Sequence, residues 1–218
     1  MKTEIEHLEA LQDIKQMMER SSRFISLSGL SGIAAGTCAL IGAAFAYPIV
    51  NRAHFNAENR NAPELVLYEH DFSISQYTGN SLLNIAALTL IAAVFFAFLF
   101  TYLRSKKTNT PIWSKSSQRL TINVFLPLIV GGIYLFRLME IGTYGLIAPG
   151  CLIFYGLALL NASKYTLIEV RYLGICEIFL GIINLWMIGK GLYFWAIGFG
   201  ILHILYGSFM WWKYERKQ

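Results

Sequence analysis

Two ionisable residues lie deep inside the last long apolar stretch of this chain, Leu167–Trp212. Glu177 sits in the run Leu167–Gly189 and His203 in the run Gly191–Trp212. An ionisable group at mid-membrane depth costs roughly 3 kcal/mol on insertion scales unless something partners it. A carboxyl and an imidazole can partner each other, as carboxylate with imidazolium or as a neutral hydrogen-bonded pair. Such a pair can hold or release a proton, or receive a ligand, with Asn184, Tyr155 and Tyr206 as polar neighbours. It can equally be a buried bond that only fixes helix register. Enzyme signatures are missing from the sequence: no His-Glu-x-x-His, no Gly-x-Ser-x-Gly and no phosphate-binding glycine loop. Haem held by two histidines would need a second buried imidazole, and His7, His54 and His70 all fall outside the apolar runs. The expectation is therefore no catalytic residue, no cofactor and no metal.

The elements that must position this pair are helices. Each of the two runs is long enough to cross a bilayer, which takes roughly 20 residues at 1.5 Å rise. Gly174, Glu177, Gly181 and Asn184 follow a 3-4-3 spacing and share one helical face; Ala196, Gly200, His203 and Gly207 share another. Folding the two runs about Lys190 brings Glu177 level with His203. It also sets Gly174 opposite Gly207, Gly181 opposite Gly200 and Asn184 opposite Ala196, a small-residue seam of the kind that lets membrane helices approach closely.

The rest of the chain fits a polytopic membrane protein. Of 218 residues, 56% are hydrophobic and 14% charged, against roughly 45–50% and 25% for a soluble domain. The apolar residues fall in runs at about 24–50, 81–103, 120–139, 142–162, 167–189 and 191–212, giving six crossings as three antiparallel hairpins in an all-α fold. Residues 1–23 precede them, with Leu8, Leu11 and Met18 at helical spacing and acids elsewhere. That segment reads as a cytoplasmic amphipathic helix or as a solvated arm. The loop 51–80 is the longest outside the bilayer. Its Glu69-His70-Asp71 and His54 match no standard metal spacing, so a solvated loop is the simpler reading. In the first span Gly29, Gly32, Gly36, Ala39 and Ala43 form a small-residue stripe, implying close contact within the chain or with another copy. Pro127 and Pro149 are expected to kink spans three and four. Arg137 and Glu140 read as a structural ion pair. Thr166-x-x-Glu169 matches a capping box opening span five. Cys38, Cys151 and Cys176 stand apart within apolar runs and read as core residues.

Fourteen of the eighteen Lys and Arg residues fall on one side of this layout and four, Arg52, Arg60, Arg137 and Lys190, on the other. The bias places both termini, including the tail 213–218, in the cytoplasm and agrees with an even number of crossings. The net charge of +5 is thereby explained by topology and not by nucleic acid.

The strings Glu19–Gly36, Ile153–Leu167 and Phe194–Gly207 resemble an uncharacterised family of small bacterial six-helix integral membrane proteins. That resemblance implies a bacterial inner-membrane setting and no assigned catalytic residues. A fainter similarity, confined to the glycine-punctuated hairpins, is to acid-resistance membrane proteins of the HdeD type. Two functions follow as expectations. The first is a non-catalytic sensor, regulatory or accessory component, partnered by the lipid bilayer and by a second copy or a cytoplasmic protein. The alternative is a small proton- or solute-linked transporter using Glu177 and His203.

Overall fold

The computed structural model describes residues 28–58, 72–108 and 113–216. The expected amphipathic segment 1–23 and the cluster at residues 69–71 lie outside them. Every regular element among the described residues is helical. Helix α1 spans Gly29–Glu58, α2 Phe72–Thr108 and α3 Lys115–Glu140. A single 3-10 turn, Tyr144–Leu146, leads into α4, Ile147–Ala162, and α5 follows at Glu169–Leu185. The last crossing is composite: α6, Gly191–Trp195, then a π-helical stretch, Ala196–Leu202, then α7, His203–Tyr214. Five stretches are long and apolar enough to cross a membrane: Gly29–Arg52, Asn80–Thr108, Lys115–Glu140, Tyr144–Ala162 and Gly191–Tyr214. The sixth, α5, has 17 residues and a length of roughly 26 Å, a little under the thickness of a hydrocarbon core.

The polar stretch at 51–80 is less loop than the composition suggests. Helix α1 continues through Glu58 and α2 starts at Phe72, so both helices run past their apolar segments. Pro127 lies inside α3 as expected. Pro149 does not interrupt a helix. It is the third residue of α4, in the first turn, where the missing N–H has no partner to lose. The turns that follow α3 and α5 use glycine with positive φ, Gly142 at 78° and Gly189 at 90°, a backbone region that side chains with a Cβ avoid.

The helices do not pair as three successive hairpins throughout. α1 packs on α2 and on the last crossing; α4 packs on α5 and α3. The small-residue seam expected between the fifth and sixth crossings is in fact two seams with other partners. A Cβ on Gly174 would lie 2.8 Å from the Gly156 carbonyl oxygen of α4, and one on Gly181 2.9 Å from the Pro149 carbonyl oxygen. On the other side, Gly207 meets Gly29, Gly32 and Ile33 of α1, and Gly200 meets Leu40 and Gly36. The stripe on α1 is thus occupied within the chain by the last crossing, with Ala39 and Ala43 buried beside it. Two glycine faces at matching height look like partners in the sequence, yet nothing in a helical spacing says which other helix a face will meet. α2 and α3 lie at the flanks, with Leu88, Ile91, Phe95, Phe98, Ile122, Leu126, Ile133 and Phe136 turned outward. Water does not tolerate apolar surface on this scale, and lipid does.

The packing also fixes which helix ends lie together. Ser28, Arg104, Glu169 and the last turn of α7 meet at one end, through contacts of Glu215 with Ser28 and Arg104 and of Lys213 with Glu169. With Arg104 and Lys213 on it, this is the basic end of the molecule.

Candidate functional site

The polar residues singled out from the sequence converge where α4, α5 and the last crossing meet. Glu177 is fully buried and His203 nearly so. His203 Nδ1 lies 3.5 Å from Glu177 Oε1, so the two groups are level and adjacent as the spacing predicts. They are adjacent for a different reason, however. α5 and the last crossing barely pack along their lengths, and the approach is local, at Gly198. A Cβ there would stand 2.5 Å from Glu177 Oε2 and 2.5 Å from Leu152 Cδ2. The absent side chain is the space the carboxyl occupies.

His203 closes the π-helical stretch and draws on it. Its Nδ1 is 3.0 Å from the Gly198 carbonyl oxygen, five residues back, and its Nε2 is 2.7 Å from the Tyr155 hydroxyl of α4. With the neutral ring, Nδ1–H donates to Gly198 and Nε2 accepts from Tyr155 O–H; with imidazolium, both nitrogens donate. In either state Nδ1–H also faces the carboxyl. Phe199 covers the cluster, with its ring 5.1 Å from Tyr155 and stacked 6.1 Å from His203, and Trp195 lies 5.4 Å from Phe199. A π-helical stretch widens the turn and displaces the residues that follow, and such stretches concentrate at functional sites. Here it aims His203 at α4 and α5 while Gly200 still packs on α1.

Neither oxygen of Glu177 has a hydrogen bond; the 3.5 Å contact to His203 is ion-pair range and longer than a bond. Asn184 is fully buried two turns along α5, away from the basic end, and neither its amide oxygen nor its nitrogen is paired. Across the interface it approaches the start of α6, where a Cβ on Gly191 would come within 3.9 Å of Nδ2. Tyr206 sits one turn beyond His203 toward the basic end, its hydroxyl buried and unpaired. The structure therefore brings Glu177, His203 and Tyr155 into one cluster and sets Asn184 and Tyr206 on either side of it. Among the described residues no group of His, Cys, Asp and Glu could hold a metal ion.

A second polar cluster lies at the basic end. Glu215 Oε1 lies 2.6 Å from Arg104 Nη1, and the same carboxylate accepts from Ser28 Oγ and from the Gly29 backbone N–H. It thus caps the N-terminus of α1, where a negative charge is favoured, while pairing with a cation at the end of α2. Close by, Glu169 Oε1 accepts from Lys213 Nζ at 2.6 Å and from Tyr214 Oη at 2.8 Å. Glu169 consequently does not serve the capping box that its spacing from Thr166 predicts. Ile168 holds the cap position of α5 with no side-chain bond, because two donors on α7 take the carboxylate instead. The one signal for this cluster in the sequence was an acid, Glu215, standing alone among Lys213, Arg216 and Lys217. The Arg137–Glu140 pair forms at 2.9 Å on the exposed surface at the other end. No family model, no curated protein and no solved structure matches this chain.

Proposed function

We propose that this chain is an integral membrane protein of six crossings, placed in a bacterial inner membrane with both termini cytoplasmic, that works as a non-catalytic sensor or regulatory component. Its switch is the proton held by Glu177 and His203. The single observation behind this reading is an acid and an imidazole 3.5 Å apart at the fully buried meeting point of three helices. A change of charge on that pair acts on the fold through the last crossing, since His203 is bonded to the π-helical stretch and to Tyr155 of α4. Buried ionisable groups are the ordinary means by which a protein converts pH or ligand into a shift between two packings. A homo-oligomer or a cytoplasmic protein reading the basic end is the partner such a role calls for.

The intrinsic fluorescence of the full chain in lipid nanodiscs tests this, because Trp195 packs on the ring that covers the site. A titration across about pH 5–9 is expected to show one transition in the parent protein and none in Glu177→Gln or His203→Gln. A flat parent profile would overturn the proposal.

The transporter reading is favoured by one specific observation: Asn184 carries an unpaired, fully buried amide on the same face as Glu177. Under that reading Glu177→Gln and Asn184→Ala both reduce proton or solute flux in proteoliposomes.

A further inference from the structure

The hydrogen bonds around His203 dictate where the hydrogens of the site lie. The Gly198 carbonyl oxygen stands 3.0 Å from Nδ1. A carbonyl oxygen only accepts, so Nδ1 carries a hydrogen; the tautomer with Nδ1 bare would set two lone pairs against each other. The Tyr155 hydroxyl stands 2.7 Å from Nε2. With Nε2 bare, Tyr155 O–H donates to it. Both ring nitrogens and the hydroxyl hydrogen then have partners, and the neutral imidazole is fully satisfied.

The imidazolium undoes this arrangement. Nε2–H would point at Tyr155 Oη, and the hydroxyl hydrogen would need another acceptor. Among the described residues Tyr155 has no hydrogen-bond partner except His203, and no donor stands in bonding position to either oxygen of Glu177. A buried donor left unpaired costs more than an ordinary bond gains. The ion pair does not offset this. Two buried charges repay their desolvation only with close geometry and filled valences. Here Nδ1 is 3.5 Å from Glu177 Oε1, its hydrogen is engaged by Gly198, and Oε2 has no donor. No other charge faces the pair: α4 carries none, α1 none between Gly29 and Asn51, and the last crossing only His203 and Lys213. The remaining titratable neighbours are Cys151 of α4 and Tyr206 of α7, while Arg171 and Cys176 of α5 are turned outward.

We infer that Gly198 and Tyr155 hold His203 as the neutral Nδ1–H imidazole, and that the proton this site gains and loses sits on the Glu177 carboxyl. This rests on the functional reading above; it names the group that titrates and makes Tyr155 a positioning residue. When the site loses its proton, the carboxyl O–H bond breaks, the electron pair stays on the carboxylate and the proton passes to bulk water. The new charge then faces Nδ1–H and draws it from the Gly198 carbonyl. His203 thus passes the change to the π-helical stretch without changing its own charge, as a hydrogen-bonded neutral ring between an acid and the backbone can.

The test is nuclear magnetic resonance on the full chain in lipid nanodiscs, with isotopically labelled histidine rings and glutamate carboxyls. Comparison with His203→Gln and Glu177→Gln assigns the two sets of resonances. Across about pH 5–9 His203 should keep one bonded hydrogen, on Nδ1, and a bare Nε2. The Glu177 carboxyl carbon should shift with the midpoint of the Trp fluorescence. In Tyr155→Phe the Nε2 resonance should move as its hydrogen bond is lost, with the hydrogen on Nδ1 retained. A second hydrogen appearing on His203 at the fluorescence midpoint, or an Nε2 resonance unmoved in Tyr155→Phe, would overturn the inference while leaving the functional reading intact. A parent flat in fluorescence and in the carboxyl resonance would remove both. Should His203→Gln fail to fold, the parent alone decides, with His203 assigned through its contact with the Phe199 ring.

Discussion

The two polar clusters of this protein are built on opposite lines. At the basic end the contacts are short and charged: Glu215 to Arg104 and Glu169 to Lys213, both at 2.6 Å, with further hydroxyl and backbone donors on Glu215 and on Oε1 of Glu169, whose Oε2 is buried without a hydrogen bond. In the centre the carboxyl of Glu177 has an imidazole at 3.5 Å and no hydrogen bond. The first cluster gives each carboxylate a cation at 2.6 Å and ties α1, α2, α5 and α7 together. The second leaves an acid underpartnered where water is far. A group already held by strong bonds in one charge state has little to gain from changing it; a group without them is free to change state when a proton arrives. The contrast therefore separates a clasp from a switch.

Removing the clasp should cost most. Glu215→Ala removes a charged partner of Arg104 and uncaps α1, a loss of about 3 kcal/mol, read as a lowered unfolding temperature in detergent. The pH transition in the variant that remains folded should keep its midpoint. Crowding the switch comes next. Gly198→Ala drives a methyl into Glu177 and Leu152, costing about 2 kcal/mol of overpacking, and, unlike Glu215→Ala, it should move the fluorescence midpoint. Asn184→Leu sharpens the comparison with the opposite sign: replacing two unpaired amide atoms by a methyl-bearing side chain of similar size should stabilise by about 1 kcal/mol. Lys213→Ala removes a half-exposed partner of Glu169 and should lower the unfolding temperature only slightly. Arg137→Ala, at an exposed pair far from both clusters, should change stability by no more than about 0.5 kcal/mol.

Different parts of this architecture were legible to different degrees. The apolar runs were visible because a helix crossing lipid must be apolar for most of its length, and five of them reappear as helices of the required length. The level of Glu177 with His203 was visible because a hairpin about Lys190 counts residues equally on both arms. The partner of each glycine was not. Gly174 and Gly207 present the same chemistry to any helix, and the fold matched them with Gly156 and Gly29 instead of with each other. Pro149 gave a true signal of a special backbone position but not its kind, since a helix start and a helix kink both accept proline. The π-helical stretch Ala196–Leu202 left no mark beyond its two glycines, Gly198 and Gly200, which an ordinary membrane helix would also carry.

The sequence by itself determined that the chain is helical, which residues share each helical face, and that one acid and one imidazole come to the same depth, because all three depend only on residue order and a fixed rise per residue. Which faces meet was decided by the tertiary structure. Packing between membrane helices is set by close backbone contact summed over whole interfaces, and several glycine faces of nearly equal quality compete for each partner. The same holds for Glu215, whose reach to Gly29 and Arg104 joins residues far apart in the chain and exists only once three helix ends have been gathered at one place.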